Sequence, residues 1–396
     1  MDIGNAVFWG ALLLLAYTHF GYPFLIAAWA RRRRAAVYRD EALPPVSILV
    51  VAHDEARRID ARIQNLLALD YPRELLDIMI ASDGSTDGTV ERARAYEAEG
   101  VRVFAFPGRR GKAGVLNELL PQARAEIVTL ADARQQFEAE ALRALVAPFQ
   151  DERVGAVSGE LMLLSGNDRR LGQGVGLYWR YEKWIRGNEA RADSTVGTTG
   201  AIYAIRRRLF EPIPPDTILD DVLVPMRIVR QGYRALFEPR ARAHDQISAR
   251  PGDEFQRKVR TIAGNFQLFA RERWLLDPRR NRIWFQTASH KALRLLTPFM
   301  MAVVFLGSLA LEPAWLSQIM LAGQAAFYAA ALAGHALRDG RRRTPLLTVP
   351  YVTSLLAVAT IVALGRFLMG GQAVTWQKAG PTAAVEPAIP PPSLSL

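Results

Sequence analysis

Apolar residues fall along this 396-residue chain in two textures. Toward the ends they run long and uninterrupted. No charged residue stands between Asp2 and Arg31, and Val7 to Ala30 is long enough to cross a bilayer as a helix; Leu295 to Leu311, Pro313 to Leu337 and Thr344 to Gly365 are apolar in the same way. Between the ends the apolar residues come in short, β-branched bursts separated by segments of helical period. Val46 to Ala52, Leu76 to Ala81, Val101 to Phe106, Ile127 to Ala131 and Val154 to Ser158 read as strands. Ile59 to Leu69, Asp87 to Glu99, Gly111 to Ala123 and Ala139 to Phe149 read as the helices between them. Short continuous apolar runs are what strands covered on both faces look like. The strand and helix rhythm therefore predicts an α/β domain with a mainly parallel sheet and helices on both faces. No internal repeat or linker interrupts residues 40 to 280, which predicts a single domain there.

The long runs predict a membrane protein. Val7 to Ala30 exceeds an ordinary signal-peptide core, its start is not basic, and Arg31 to Arg34 follows it directly, so it reads as a retained anchor. By the positive-inside rule those arginines place the next segment in the cytoplasm. The first two later runs can form a hairpin that leaves Arg338 to Arg343 inside. The last run contains Pro345 and Pro350 and ends in Arg366, so it either crosses the membrane or lies along its inner face. That choice decides where the tail with Trp376 and Lys378 sits. From Pro381 onward the chain is rich in Pro, Ala and Ser and is expected to be disordered.

Charge and composition narrow the partners. The net charge is +11, but the arginines flank membrane segments or scatter through helices instead of interleaving with stacking aromatics, which argues against nucleic acid. Anionic lipid and a diphosphate substrate are the simpler partners. The absence of cysteine excludes disulfides and thiolate metal sites.

Small and acidic residues follow the first two strands: His53-Asp54-Glu55, and Ser82-Asp83-Gly84-Ser85-Thr86-Asp87-Gly88. Ligands of open α/β sheets bind at the carboxyl ends of strands, so these acids should face one crevice. There they can accept hydrogen bonds from a base or a ribose. A turn followed by a helix cap at Asp87 is the plain alternative. In Arg109-Arg110-Gly111-Lys112-Ala113-Gly114-Val115-Leu116-Asn117, glycine and lysine enter a helix, an arrangement that suits an anion, although the spacing is not that of a P-loop. A solvated basic helix start is the alternative there. Asp132 closes the fourth strand, and Asp220-Asp221 opens a helical segment that leads to Gln231-Gly232-Tyr233. The paired acids suit either a proton acceptor or a cap.

Taken in order, these segments resemble the inverting family 2 glycosyltransferases, membrane-bound relatives of the cellulose, hyaluronan and poly-N-acetylglucosamine synthases. The resemblance implies a GT-A fold, a Rossmann-like α/β domain on a membrane anchor. It implies that Asp54, Glu55, Asp83, Lys112 and Asp132 hold the nucleotide of an activated sugar, expected to be a UDP-sugar. It implies that Asp221 is the catalytic base, with Gly200, in Thr198 to Ala204, and Asp220 on the acceptor side. Arg257 and Arg260 fall where processive members carry Gln-x-x-Arg-Trp, and there they would face the diphosphate; Thr261 stands in place of the tryptophan. Arg134 replaces the second acid of the family's Asp-x-Asp. Either Asp132 alone holds Mg²⁺ or Mn²⁺ with the substrate phosphates, or Arg134 itself neutralises the diphosphate. His244 and His290 have no metal spacing around them and read as ordinary residues, and the rings of Tyr178 to Trp184 read mostly as core.

The implied division is an anchor and basic flank at 1–34, a cytoplasmic glycosyltransferase domain at 35–285, a membrane region of two or three helices at 286–370, and a tail at 371–396. The implied reaction is sugar transfer to a membrane-associated acceptor, lipid-linked or glycan, in envelope or exopolysaccharide synthesis at a bacterial inner membrane. A processive polysaccharide synthase and a silent nucleotide-sugar-binding scaffold are the competing readings. Product length separates the first from single transfer, and the absence of any transfer marks the second.

Overall fold

The computed structural model describes residues 3–33, 43–164, 172–246, 251–337 and 344–371. Eight strands form one sheet: β1 (Val46–Ala52), β2 (Leu76–Asp83), β3 (Arg102–Phe106), β4 (Ile127–Asp132), β5 (Gln136–Phe137), β6 (Val154–Leu164), β7 (Ile202–Arg206) and β8 (Arg234–Gln246), in the order β3-β2-β1-β4-β7-β6-β8-β5. β1 sits between β2 and β4, parallel to both, with Val46 paired to Leu76 on one side and to Ile127 on the other. The chain winds outward from β1 in both directions, so a crevice opens at the carboxyl ends of β1 and β4.

Packing follows from the two-residue alternation of the strands. Ile48 and Val50 face a core shared with Ile59, Ile63 and Leu66 of α2 (Ile59–Leu67). Leu49, Val128 and Leu130 face the opposite core, shared with Leu116 and Leu119 of α4 (Gly111–Leu119) and with Leu223 and Met226 of α7 (Asp220–Arg230). The short α3 (Thr89–Arg94) starts where the Asp87 carboxylate accepts the Thr89 amide. α5 (Ala141–Val146) precedes β6, and α6 (Gly172–Ala192) follows it. Helices end earlier than their apolar pattern suggests: Pro121 tightens the end of α4 into a 3-10 turn, and Pro148 does the same after α5.

Half of the sheet beyond β4 departs from the simple rhythm. β7 runs antiparallel to both β4 and β6, which makes the sheet mostly rather than wholly parallel. β8 was hidden from the hydrophobic pattern because its inward positions are the small Ala235, Ala241 and Ala243 while Arg234, Arg240 and Arg242 alternate with them.

α8 (Pro251–Arg271) lies on the domain, where Gly264 packs directly against Ile218 and Leu219. Among the described residues, four helices are long and apolar enough to cross a membrane: α1 (Ile3–Arg31), α9 (Trp284–Leu309), α10 (Ala314–Ala336) and α11 (Pro345–Leu368). α1 and α9 run antiparallel. At the domain end the Tyr17 and Ser289 hydroxyls meet at 2.7 Å, and at the far end Phe8 lies on Val304 and Gly307. α9 begins well before Leu295, since its first turns are polar and packed on the domain. Arg34, the loop 338–343, Trp376, Lys378 and the tail after 371 lie outside the described residues.

Candidate active site

The loops after β1 and β2 are stitched together by polar contacts. Asp54, whose φ of 53° puts it in the left-handed region that suits a tight turn, accepts the Thr86 amide at 2.8 Å and donates its own amide to the Ser85 hydroxyl at 2.9 Å. The Glu55 amide donates to the Thr89 hydroxyl, and the Glu55 carboxylate pairs with Arg58 at 3.0 Å. Asp83 is buried and accepts the amides of Arg110 and Gly111 at 2.6 and 2.9 Å. In this arrangement Asp83 caps the start of α4 and so fixes where Lys112 points.

Lys112 is the centre of the constellation. Its ammonium lies 3.0 Å from Asp132 Oδ1 at the end of β4 and 3.3 Å from Asp220 Oδ2 at the start of α7. Burial pushes its pKa down, but Asp132, Asp220 and Asp221 outweigh burial and hold the ammonium above its ordinary value. Asp220 also receives the Tyr203 hydroxyl at 3.4 Å. Asp221 Oδ2 accepts the Gly200 amide at 3.0 Å, while the amide and hydroxyl of Thr198 both donate to the Asp221 carbonyl. Burial, then the Asp220 charge, raises the Asp221 pKa to about 6 against the pull of Lys112, Lys291 and the Gly200 amide. A side chain added at Gly200 would touch Asp221 Oδ2 at 3.4 Å and Lys112 Nζ at 3.7 Å. Gly200→Val should therefore lower kcat with little change in thermal stability, measured by initial rates beside a melting curve.

Residues 47–213 match the profile of the family described as Glycosyl transferase family 2. That stretch, less than half of the chain, is thus similar to a family 2 glycosyltransferase domain. It is similar to a beta-monoglucosyldiacylglycerol synthase of Nostoc sp., 29% identical over 232 residues that cover 57% of this chain and 50% of the relative. It is also similar to a poly-beta-1,6-N-acetyl-D-glucosamine synthase of Staphylococcus epidermidis, 25% identical over 237 residues covering 58% of this chain and 56% of the relative. The chain thus spans about half the length of these curated relatives. The fold matches a mannosyltransferase of Pyrobaculum calidifontis, solved in complex with GDP-Man and Mn²⁺, with a TM-score of 0.70 over 92% of this chain and 99% of that one, at 24% identity. The architecture is of the GT-A type.

The structure brings together Lys112, Asp132, Gly200, Asp220 and Asp221, with Arg260 of α8 close enough to feel the same acids. Burial lowers the Arg260 pKa, and Asp220, Asp221 and Asp132 oppose that shift. Other candidates stand apart from this cluster. Arg134 Nη2 pairs with the buried Asp245 of β8 at 2.6 Å, and Gln135 donates to the same oxygen, so the guanidinium is tied to the sheet. Arg257 sits 3.8 Å from Glu254 and receives the Thr261 hydroxyl on its carbonyl. Asp132 fits a divalent cation in one respect: Mg²⁺ is commonly held by one or two carboxylates with substrate phosphates completing the shell. Among the described residues no group of three or more such side chains converges on a metal position.

A second cluster lies outside the ordered motifs of the sequence. His290 of α9, which the sequence presents as an ordinary residue, is clamped between two acids of α6: Nδ1 lies 2.7 Å from Glu189 and Nε2 lies 3.0 Å from Glu182. Glu189 is fully buried and also accepts the Tyr22 hydroxyl of α1, while Arg294 pairs with Glu182. Burial raises the Glu182 pKa, but Arg294 and His290 overrule it and hold the carboxyl far below its usual range. The available signal was the seven-residue spacing of Glu182 and Glu189, which puts both on one face of a helix otherwise lined with aromatics. Trp184 is exposed and edges onto Phe24 of α1, away from the acid cluster.

Proposed function

We propose that this enzyme transfers a sugar, with inversion, from a nucleotide diphosphate sugar to a hydroxyl of a membrane-associated acceptor, lipid-linked or glycan. The expected donor is a UDP-sugar. The observation that carries the reading is Asp221, a half-buried carboxyl with its pKa raised to about 6, beside a lysine that bridges Asp132 and Asp220. The acceptor hydroxyl donates to Asp221, and its oxygen attacks the anomeric carbon on the face opposite the diphosphate. As the new bond forms, the bond to the diphosphate oxygen breaks and the proton passes to Asp221. No covalent enzyme intermediate is needed.

The loops carrying Asp54, Glu55 and Asp83 shape the nucleotide side, and Lys112 and Arg260 bring positive charge to the diphosphate. A Mg²⁺ or Mn²⁺ held by Asp132 and the phosphates would supply further neutralisation of the leaving group. Support for an acceptor at the membrane comes from the apolar helices packed on the domain, α1 through Tyr22 and α9 through His290. We place the catalytic domain in the cytoplasm, where Arg31 to Arg33 would hold it at a bacterial inner membrane.

The pH profile tests the base. Because the ionised carboxylate is the active form and its folded pKa lies at about 6, kcat/KM should fall below about pH 6 and level off above it. A profile flat down to pH 5 would remove Asp221 from that role. Incubating the protein in lipid with a panel of radiolabelled nucleotide sugars, then sizing the product, separates single transfer from polymer synthesis. Thr261 favours single transfer, since its hydroxyl turns back to its own helix and offers no aromatic platform. No transfer from any donor would leave the silent scaffold.

A further inference from the structure

The loop that touches the proposed base is held from two sides. On one side Thr198 gives its amide and its hydroxyl to the Asp221 carbonyl, and Gly200 gives its amide to the Asp221 carboxylate. On the other side stands a single hydroxyl. Ser158 of β6 is fully buried, and its Oγ accepts the Thr199 amide at 3.1 Å, the amide that lies between those two contacts. Arg186 of α6 donates to the same oxygen from Nη2 at 2.8 Å, while the hydroxyl hydrogen goes to the Gly159 carbonyl at 3.0 Å. A hydroxyl has one donor and two acceptor sites, so all three are filled here.

The surroundings fix that oxygen. Ser158 pairs with Tyr203 of β7 and with Phe237 of β8, and the β6–β8 register shifts directly after it, before Glu160 pairs with Arg242. Irregularities of this kind re-aim side chains beside sites. Gly159, at the shift, runs so close to β8 that a Cβ there would stand 2.4 Å from the Ala241 carbonyl oxygen. The Arg186 guanidinium lies over the Phe237 ring, 5.2 Å from its centroid. Its helix is pinned on both sides of it. Glu182 and Glu189, four residues before and three after Arg186, share its face of α6 and between them engage His290 and Arg294 of α9 and Tyr22 of α1. The loop at Asp221 is thus referenced to two of the long apolar helices.

We infer that Ser158 and Arg186 are positioning residues for Asp221, holding the Thr198–Gly200 loop so that the Gly200 amide stays on the carboxylate. The effect on turnover rests on the proposed reaction; the effect on the loop does not. Among the described residues neither side chain hydrogen-bonds to Asp83, Lys112 or Asp132, which stand on the donor side of that reaction.

Ser158→Ala deletes the shared acceptor without changing charge. Asp220, Lys112, Lys291, Arg186 and Arg260 all keep their charges around Asp221, so a change in its ionisation reports the loop. In this variant kcat should fall about 10- to 100-fold, the scale of a misplaced catalytic group, with donor KM close to native. The acid limb of kcat/KM should move above about pH 6, because the Gly200 amide favours the carboxylate and is no longer held on it. Hydrogen exchange of the Thr199 and Gly200 amides, measured without donor, should quicken. Arg186→Met should act in the same direction, and Arg186→Lys, which restores a charged donor, should recover most of the loss. Native kcat with an unmoved acid limb in folded Ser158→Ala would overturn the inference. Unchanged exchange at Thr199 and Gly200 would overturn it too, and that readout needs no turnover. If Ser158→Ala does not fold, Arg186→Met carries the same measurements, and native values in them are equally decisive against it. Absence of transfer by the native protein would count against the reaction alone.

Discussion

Asp221→Asn should bind donor as the native enzyme does and lose about 10²- to 10⁴-fold in turnover, the range that a positioned general base contributes. The amide keeps the shape and can still receive the Gly200 amide on its oxygen, so the loss reports proton transfer rather than collapse of the loop. A second readout separates chemistry from structure. The folded Asp221 pKa is raised, so the native state binds its proton more tightly than the unfolded chain does. Its ionisation therefore costs stability as pH rises through the window between the ordinary carboxylate range and about 6. Removing that charge should raise the Tm at pH 8 and change it little at pH 4. Turnover lost with Tm gained at pH 8 identifies a strained catalytic acid. Near-native turnover would move the base elsewhere, and Tm lost at both pH values would mark a structural residue.

The second large effect concerns the leaving group. EDTA should abolish transfer, and Mn²⁺ or Mg²⁺ should restore it. Asp132→Ala should not be rescued by metal, because no other acid of an Asp-x-Asp stands beside it. Arg134→Ala should then have a modest effect, since its guanidinium is held by Asp245. The opposite pattern is equally readable. Full activity in EDTA together with a loss of about 10²- to 10³-fold for Arg134→Ala, the scale of one missing donor at a developing anion, would make the protein's own cations the electrophiles.

The first half of the sheet could be read from sequence because its strands are buried on both faces and announce themselves as apolar runs. β1, β2 and β4 begin where the pattern begins. β2 and β4 run slightly beyond it, to Asp83 and Asp132, since a carboxylate can end a strand at the crevice without breaking the ladder. β8 could not be read, because a strand whose inward positions include Ala235, Ala241 and Ala243 carries too little apolar signal among its arginines. The candidate site divides the same way. Lys112, Asp132 and Asp221 stand in ordered motifs of the sequence, and the structure sets Lys112 between Asp132 and Asp220 with Asp221, the next residue, on the Gly200 amide. Arg134 was legible only as an anomaly, since its partner Asp245 lies on the strand that the pattern conceals. The Glu182, Glu189 and His290 cluster joins α6 to α1 and α9, and contacts between segments so distant in sequence leave no local period to detect.

That cluster changes what kind of object the N-terminal helix is. Tyr22, Ile26 and Ala30 of α1 are fully buried against Ile185 and Ala192 of α6, and the Tyr22 hydroxyl shares with His290 the task of satisfying the buried Glu189. A tether can be trimmed or exchanged; this helix is part of the hydrophobic interior of the catalytic unit. Cutting the chain after Arg33 would strip Glu189 of its Tyr22 partner and leave an open apolar trough where a helix belongs, so a fragment without α1 should aggregate rather than work. Anchor and catalyst have to be inherited, expressed and purified as one piece.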